Sequence, residues 1–194
     1  ISDASYVAFR EAQASRPTVL IVGANDGMIH AFADSTDSDL GVVKGEELWA
    51  YVPEHIFSKL KNLTVTSGSH PFFVDSSPIA ADIKIDGTWK TIVVFGLRRG
   101  GRQYYALDIT DTTDPTLLWS FTDSKLGETW SEPAIGKVKI EDGTEKLVAF
   151  VGGGYDTALN NNSGKAFFVI DLATGQKLWE YYKDGTVDDR QYMN

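Results

Sequence analysis

Three histidines, two runs of aspartates, two glycine-rich stretches and one arginine cluster are the residues of this 194-residue chain whose types could do chemistry. His30, His55 and His70 stand far apart, and none has the His-Glu-x-x-His spacing that sets two imidazoles on one helix face around zinc. His30 lies within the apolar run Met28-Ile29-His30-Ala31-Phe32, where a structural histidine with satisfied ring nitrogens is expected. A Ser-His-Asp site draws its members from anywhere in a chain, but the Gly-x-Ser-x-Gly elbow that would recommend one is absent. Gly152-Gly153-Gly154 runs into an asparagine-rich stretch instead of the helix that a dinucleotide fingerprint needs. Ser163-Gly164-Lys165-Ala166 lacks the hydroxyl residue after lysine that holds magnesium in a phosphate-binding loop.

Carboxylates gather at Asp34, Asp37 and Asp39 and again at Asp108, Asp111 and Asp114. Neither group has the central glycine and distal glutamate of an EF-hand loop. The stretch from Asp156 to Gly164 is rich in oxygen ligands, and Asp156, Asn160 and Asn162 are its candidates for a cation, although any exposed connection uses the same composition. Arg98, Arg99 and Arg102 lie within five residues and read as a solvated turn between two strands. A net charge of −9 and a pI near 4.7 argue against a nucleic-acid surface, which needs clustered Lys and Arg. With no cysteine, neither a disulfide framework nor a thiolate metal site is available. No signal peptide and no apolar run of membrane-spanning length is visible.

The elements that must position these residues follow one recurring phrase: an apolar run ending in Asp, a polar turn, then Leu-Trp opening another aromatic run. The runs end at Asp34, Asp108 and Asp171, and the tryptophans are Trp49, Trp119 and Trp179. Upstream of the second and third copies lie two further strand-like runs, Ser77 to Ile85 with Thr91 to Gly96, and Ser131 to Ile140 with Lys146 to Tyr155. Upstream of the first, only Thr18 to Gly23 is visible. Each copy is therefore read as a four-stranded blade, longer than the roughly 40 to 50 residues of the commonest propeller repeats because of insertions. The fold class is all-β, a modified β-propeller of about three blades. Three blades do not close, so the rest of a larger propeller is expected outside this chain.

The expected division is a lead-in helix or linker at 1–16, blade one at 17–53, a helical insertion at 54–70, blade two at 71–122, blade three at 123–183 and a tail at 184–194 leading into a further blade. Ile56, Leu60 and Leu63 fall at i, i+4 and i+7 after Pro53, which predicts an amphipathic helix on one face of the disc. This insertion and the stretch from Asp156 to Gly164 are expected as displayed loops, and deletion of Glu54 to Leu63 is expected to spare the fold. The five tryptophans are read as packing between blades, and Asp108 and Asp171 as capping their own turns.

Five phrases, taken in order, resemble the C-terminal propeller domain of the PilY1 family of type IV pilus proteins. They are Val22-Gly23-Ala24-Asn25-Asp26-Gly27-Met28-Ile29-His30-Ala31-Phe32, Glu47-Leu48-Trp49-Ala50-Tyr51-Val52-Pro53, Phe73-Val74-Asp75-Ser76-Ser77-Pro78, Gly100-Gly101-Arg102-Gln103-Tyr104-Tyr105-Ala106-Leu107-Asp108 and Leu126-Gly127-Glu128-Thr129-Trp130-Ser131-Glu132-Pro133-Ala134. Departures are Ser76, where glycine is expected, and Leu97-Arg98-Arg99, where the family is small and glycine-rich. The resemblance implies a non-enzymatic, exported protein at the pilus tip and cell surface, with minor pilins and host or abiotic surfaces as partners. It implies roles in pilus assembly, control of retraction, adhesion and twitching motility. It also implies a calcium cofactor held by an EF-hand-like loop, which is expected beyond Asn194. Two other readings stay open. The Asp-x-x-Thr-Gly-x-x-Leu-Trp wording at Asp171 to Trp179 is similar to the repeats of pyrroloquinoline quinone dehydrogenases, also propellers, and the fold equally suits a generic interaction scaffold.

Overall fold

The computed structural model describes residues 3–159 and 162–182. Its strands are β1 Val19–Gly23, β2 Ile29–Ala33, β3 Glu47–Tyr51, β4 Ile79–Ile85, β5 Thr88–Phe95, β6 Tyr104–Asp108, β7 Thr116–Phe121, β8 Ala134–Lys139, β9 Glu145–Gly152, β10 Ala166–Asp171 and β11 Lys177–Tyr182. Within each sheet, strands adjacent in sequence pair antiparallel, giving one three-stranded sheet, β1-β2-β3, and two four-stranded sheets, β4 to β7 and β8 to β11. These three meanders are blades of a β-propeller. The tightest connection, Asp86-Gly87, has positive φ at both residues (49° and 81°), as a two-residue hairpin matched to strand twist requires. Residues 183–194, which include the expected tail at 184–194, lie outside the described part.

The register explains the recurring phrase. Trp49, Trp119 and Trp179 pair with Ala31, Ala106 and Val169, and the next pairs are Phe32 with Glu47, Leu107 with Leu117 and Ile170 with Lys177. Leu48, Leu118 and Leu178 are thus the extra residue of a β-bulge at the same point of every blade. The Leu-Trp wording marks this bulge. The same register makes Ala33 the counterpart of Asp108 and Asp171, since Val19, Ile92 and Val148 face them in turn. Asp34 stands one residue further on. Its expected equivalence with Asp108 and Asp171 is corrected accordingly.

The core sits between the blades. Val93 and Phe95 of β5 join Ile29 and Phe73 in one cluster, while Ile92 and Val94 of the same strand join Val151 and Phe168 in the other. Successive side chains point to opposite sheet faces, so blade two is buried on both sides and all of β6 is inaccessible. The repeated tryptophan stitches each blade to the next. Trp49 Nε1 donates to the Thr112 carbonyl at 2.9 Å, and Trp119 Nε1 to the Leu172 carbonyl at 2.8 Å. Gly175 makes room for the second stitch, because a Cβ there would sit 2.6 Å from Trp119 Cγ. Trp179 occupies the same place in blade three and is 54% exposed, as Leu20 is 58% exposed on the opposite outer face, that of blade one.

Two segments lie outside the sheets. Helix α1, Ala4–Ala12, is capped by Asp3, which accepts the Ser5 amide at 2.8 Å, and it buries no residue. It rests on blade two: the Tyr6 and Phe9 rings lie 4.6 and 6.4 Å from Trp89, and Tyr6 donates to Asp82 at 2.8 Å. The expected amphipathic α-helix is instead a 3-10 helix, Glu54–Thr64, following Pro53. At three residues per turn, Leu60 and Leu63 are rotated 120° from Ile56. Accordingly Ile56 is fully buried and Leu63 is exposed. Nor is this segment a removable display. Ile56 belongs to the core between blades one and two, Leu60 lies over Gly27, where an added Cβ would be 2.5 Å from it, and Lys59 donates to the Gly100 carbonyl at 2.8 Å.

Candidate functional site

Because consecutive strands alternate in direction, their connections alternate between two ends of the blades. One end carries the turns 34–46, 86–87, 109–115, 140–144 and 172–176, with nine carboxylates and one lysine. The other carries 24–28, 52–78, 96–103, 122–133 and 153–165, with seven carboxylates and seven Lys or Arg. The acidity of the chain is therefore concentrated at the first end. The second holds the longest connection, 52–78, with His55 and His70, and the arginine cluster.

The arginines lie on a turn between two strands, as expected, with Arg99 exposed, but the backbone of that turn is buried and the side chains are engaged, which the sequence expectation did not include. Gly100 and Gly101 are buried, and a Cβ on Gly100 would overlap the Phe73 carbonyl. Arg98 adopts φ +48°, a left-handed conformation that non-glycine residues rarely take. Its guanidinium lies 5.7 Å from the Trp130 ring and 3.4 Å from Glu132. Arg99 lies 4.4 Å from the Phe72 ring, and Arg102 reaches Asp156 at 3.7 Å. Thr129 anchors the loop beneath, its hydroxyl accepting the amides of Leu97 at 2.7 Å and Arg98 at 3.2 Å. No spacing signal in the sequence joins Phe72 or Trp130 to these arginines. They come from the segments entering blades two and three.

Ser76, the other departure from the family pattern, also has a structural task. Its hydroxyl accepts the Gly96 amide at 2.9 Å, and Ser131 does the same for the Gly152 amide at 3.0 Å in blade three. The register places these two pairs at equivalent positions.

Of the candidate cation ligands, Asp156 is buried, is ion-paired to Arg102 and accepts the Ala158 amide at 3.1 Å. Asn162 is exposed, and Asn160 lies outside the described residues. A guanidinium beside the one carboxylate opposes a second cation, so the described donors do not form a calcium cradle. Among the described residues no three His, Cys, Asp or Glu side chains are placed to hold a metal ion. The aspartate runs at the acidic end serve their own turns: Asp37 accepts the amides of Asp39 and Leu40, and Asp111 that of Thr113. Asp108 accepts the Thr110 amide at 2.9 Å and pairs with Lys90; Asp171 accepts the Ala173 amide at 2.8 Å and pairs with Lys146. Burial pushes the Asp108 carboxyl up, but Lys90 and Thr110 more than offset this and hold it below the usual range.

His30 is held between two carboxylates. Its Nδ1 lies 2.8 Å from Glu47 and its Nε2 3.0 Å from Asp26, with the ring almost covered. Burial disfavours the charged ring, yet the two carboxylates outweigh it and raise its pKa. With both nitrogens committed, the ring has none left to act as a base. His55, by contrast, is lowered by burial and by Lys59. Burial also pushes the Tyr105 phenol up to about 12, and its hydroxyl donates to Gln103 at 2.5 Å. These residues hold structure and present surface.

Comparison with known proteins places this architecture. The family model of the PilY1 beta-propeller domain matches residues 2–179. The type IV pilus biogenesis factor PilY1 of Pseudomonas aeruginosa strain PAO1 is 37% identical over 177 residues, 88% of this chain and 14% of that protein. A PilY1 homolog of Xylella fastidiosa is 35% identical over 183 residues, 90% of this chain and 11% of that protein. The chain thus spans only a small part of the length of these relatives. The crystal structure of the Pseudomonas aeruginosa PilY1 C-terminal domain matches with a TM-score of 0.66 and 34% identity, over 89% of this chain and 32% of that one. A matched model across nearly the whole chain, and blades of the expected order and register, lead to one conclusion: the chain belongs to the PilY1 beta-propeller domain family.

Proposed function

We propose that this chain is a non-enzymatic propeller segment of a type IV pilus biogenesis factor, acting at the pilus tip and cell surface. The observation that carries the reading is the family match over residues 2–179, together with relatives named as pilus biogenesis factors. In this reading the blades form a rigid support, because their faces are stitched together by Trp49 and Trp119, and the long connections at the less acidic end present the contact surface. Minor pilins are its assembly partners, and host or abiotic surfaces its targets in adhesion and twitching motility. Calcium of the family's kind belongs to a loop outside these residues.

The test is to shear pili from source cells and from a strain lacking the major pilin, then probe the sheared fractions with an antibody to this chain. Its presence only with pili is the expected result. Its absence from sheared pili, with the protein retained inside the cell envelope or the cytosol, would overturn the reading. Dye-linked alcohol oxidation by the full-length protein supplied with pyrroloquinoline quinone and calcium would instead favour a quinoprotein.

A further inference from the structure

The loop 96–103 is tightly constrained and carries three of the chain's arginines. Arg98 is held in a left-handed conformation, and such strain persists only where the surroundings enforce it. The surroundings here are explicit: Thr129 fixes the backbone, Lys59 holds the Gly100 carbonyl, and the Phe73 backbone closes over Gly100. What this scaffold presents is a pair of stacked cations, Arg98 on Trp130 and Arg99 on Phe72. Arg98 is already neutralised by Glu132. Arg99 is exposed and has no carboxylate within ion-pair distance among the described residues.

We propose that Arg99, seated on Phe72 and next in the chain to the Arg98–Trp130 pair, is the anchor of a protein-docking surface that receives a carboxylate from an acidic segment of a partner polypeptide. A guanidinium stacked on a ring keeps its donor edge free and oriented for bidentate contact with a carboxylate. Stacking also removes rotamer freedom before binding, which lowers the cost of association. Exposed aromatic residues and arginine are the types enriched at the centres of protein interfaces, and Phe72, Trp130 and Tyr155 are each more than a third exposed on this end. The rest of the chain argues for a protein over a polyanion. A long phosphate or sulfate polymer needs many cationic contacts, and here the end as a whole is balanced while the opposite end is strongly acidic. A short acidic segment needs one good arginine and its apolar setting. The inference does not depend on the pilus reading.

The experiment uses the full-length protein carrying this chain and a fluorescein-labelled dodecapeptide of Asp, Glu and Gly, followed by anisotropy at low and at physiological salt. Saturable binding is expected, weakened at least tenfold by Arg99→Ala and by Phe72→Ala. Both positions are exposed, and unchanged thermal unfolding would confirm intact variants. Arg99→Lys keeps the charge and loses the planar fork, so it too is expected to weaken binding several-fold. Equal affinity of wild type and Arg99→Ala, or full affinity in Arg99→Lys, would overturn the proposal. So would heparin displacing the peptide at lower concentration than unlabelled peptide does, since that marks a polyanion site. Concentration-dependent self-association abolished by Arg99→Glu would likewise overturn it, by making the acidic end of a second copy the occupant.

Discussion

His30 and Trp119 show how single side chains join strands and blades. His30 is raised above its ordinary pKa of about 6.5 by Glu47 and Asp26. A group raised in the folded state stabilises it fully below the unfolded value, and that contribution disappears as pH rises through the folded value. Wild type is therefore expected to exceed His30→Gln in thermal stability at pH 5.5 and to lose that margin by pH 9. A margin constant with pH would show that the carboxylates do not hold a charged ring. Trp119→Phe keeps most of the ring but leaves the buried Leu172 carbonyl without its donor, an expected loss of about 2 kcal/mol in urea denaturation. The Trp-to-Leu172 stitch itself was not legible in the sequence. The recurrence of Trp49, Trp119 and Trp179 showed a repeated structural role, but which carbonyl each finds depends on how neighbouring blades stack. Trp89 and Trp130 departed from the packing role expected of all five, because one receives α1 and the other receives Arg98.

Among the elements, the strands were readable and the connections were not. Apolar runs located the strands of all three sheets, including the three strands of the first. The 3-10 helix at Glu54–Thr64 was misread as an α-helix because apolar spacing alone does not fix the rise per residue. The partners of the arginine loop, Phe72 and Trp130, were not legible because they arrive from the segments entering blades two and three. The ion pairs that join the two central strands of blades two and three emerge only from the register. Lys90 with Asp108 and Lys146 with Asp171 occupy equivalent positions, and blade one has Pro17 and Ala33 there, so both partners are missing together. Lys146→Met would strand the buried Asp171 carboxylate and is expected to cost about 2 kcal/mol, between exposed and fully buried pairs because Lys146 is a third exposed. Lys146→Met with Asp171→Asn should cost less than the two single losses added. Strict additivity in a double-mutant cycle would deny the coupling.

For the whole molecule, two outer faces and two unequal ends are the governing features. Trp179 and Tyr181 on blade three, and Leu20 and Val22 on blade one, are large exposed side chains on sheet faces whose counterparts elsewhere are buried between blades. In a longer protein of this family, Trp179 is expected to be shielded from acrylamide quenching, read with Trp179 as the single retained tryptophan in a phenylalanine background that still folds. Equal quenching in the isolated chain and in the longer protein would show that no sheet covers it. Neither the sequence phrase nor its spacing distinguished Trp179 from its two buried or half-buried counterparts; only the stacking order does.

The placement of α1 has a mechanical consequence. The helix precedes blade one in the chain but is fastened to blade two, through Tyr6 on Asp82, Trp89 on Ser5, and Arg16 on Thr91 and the Thr110 carbonyl. Tension applied upstream of Ala4 is thus delivered first to the middle blade, whose strands are covered on both faces. The edge strand β1 would otherwise be unzipped one hydrogen bond at a time. With the load entering behind it, β1 is slack until those clasps have parted.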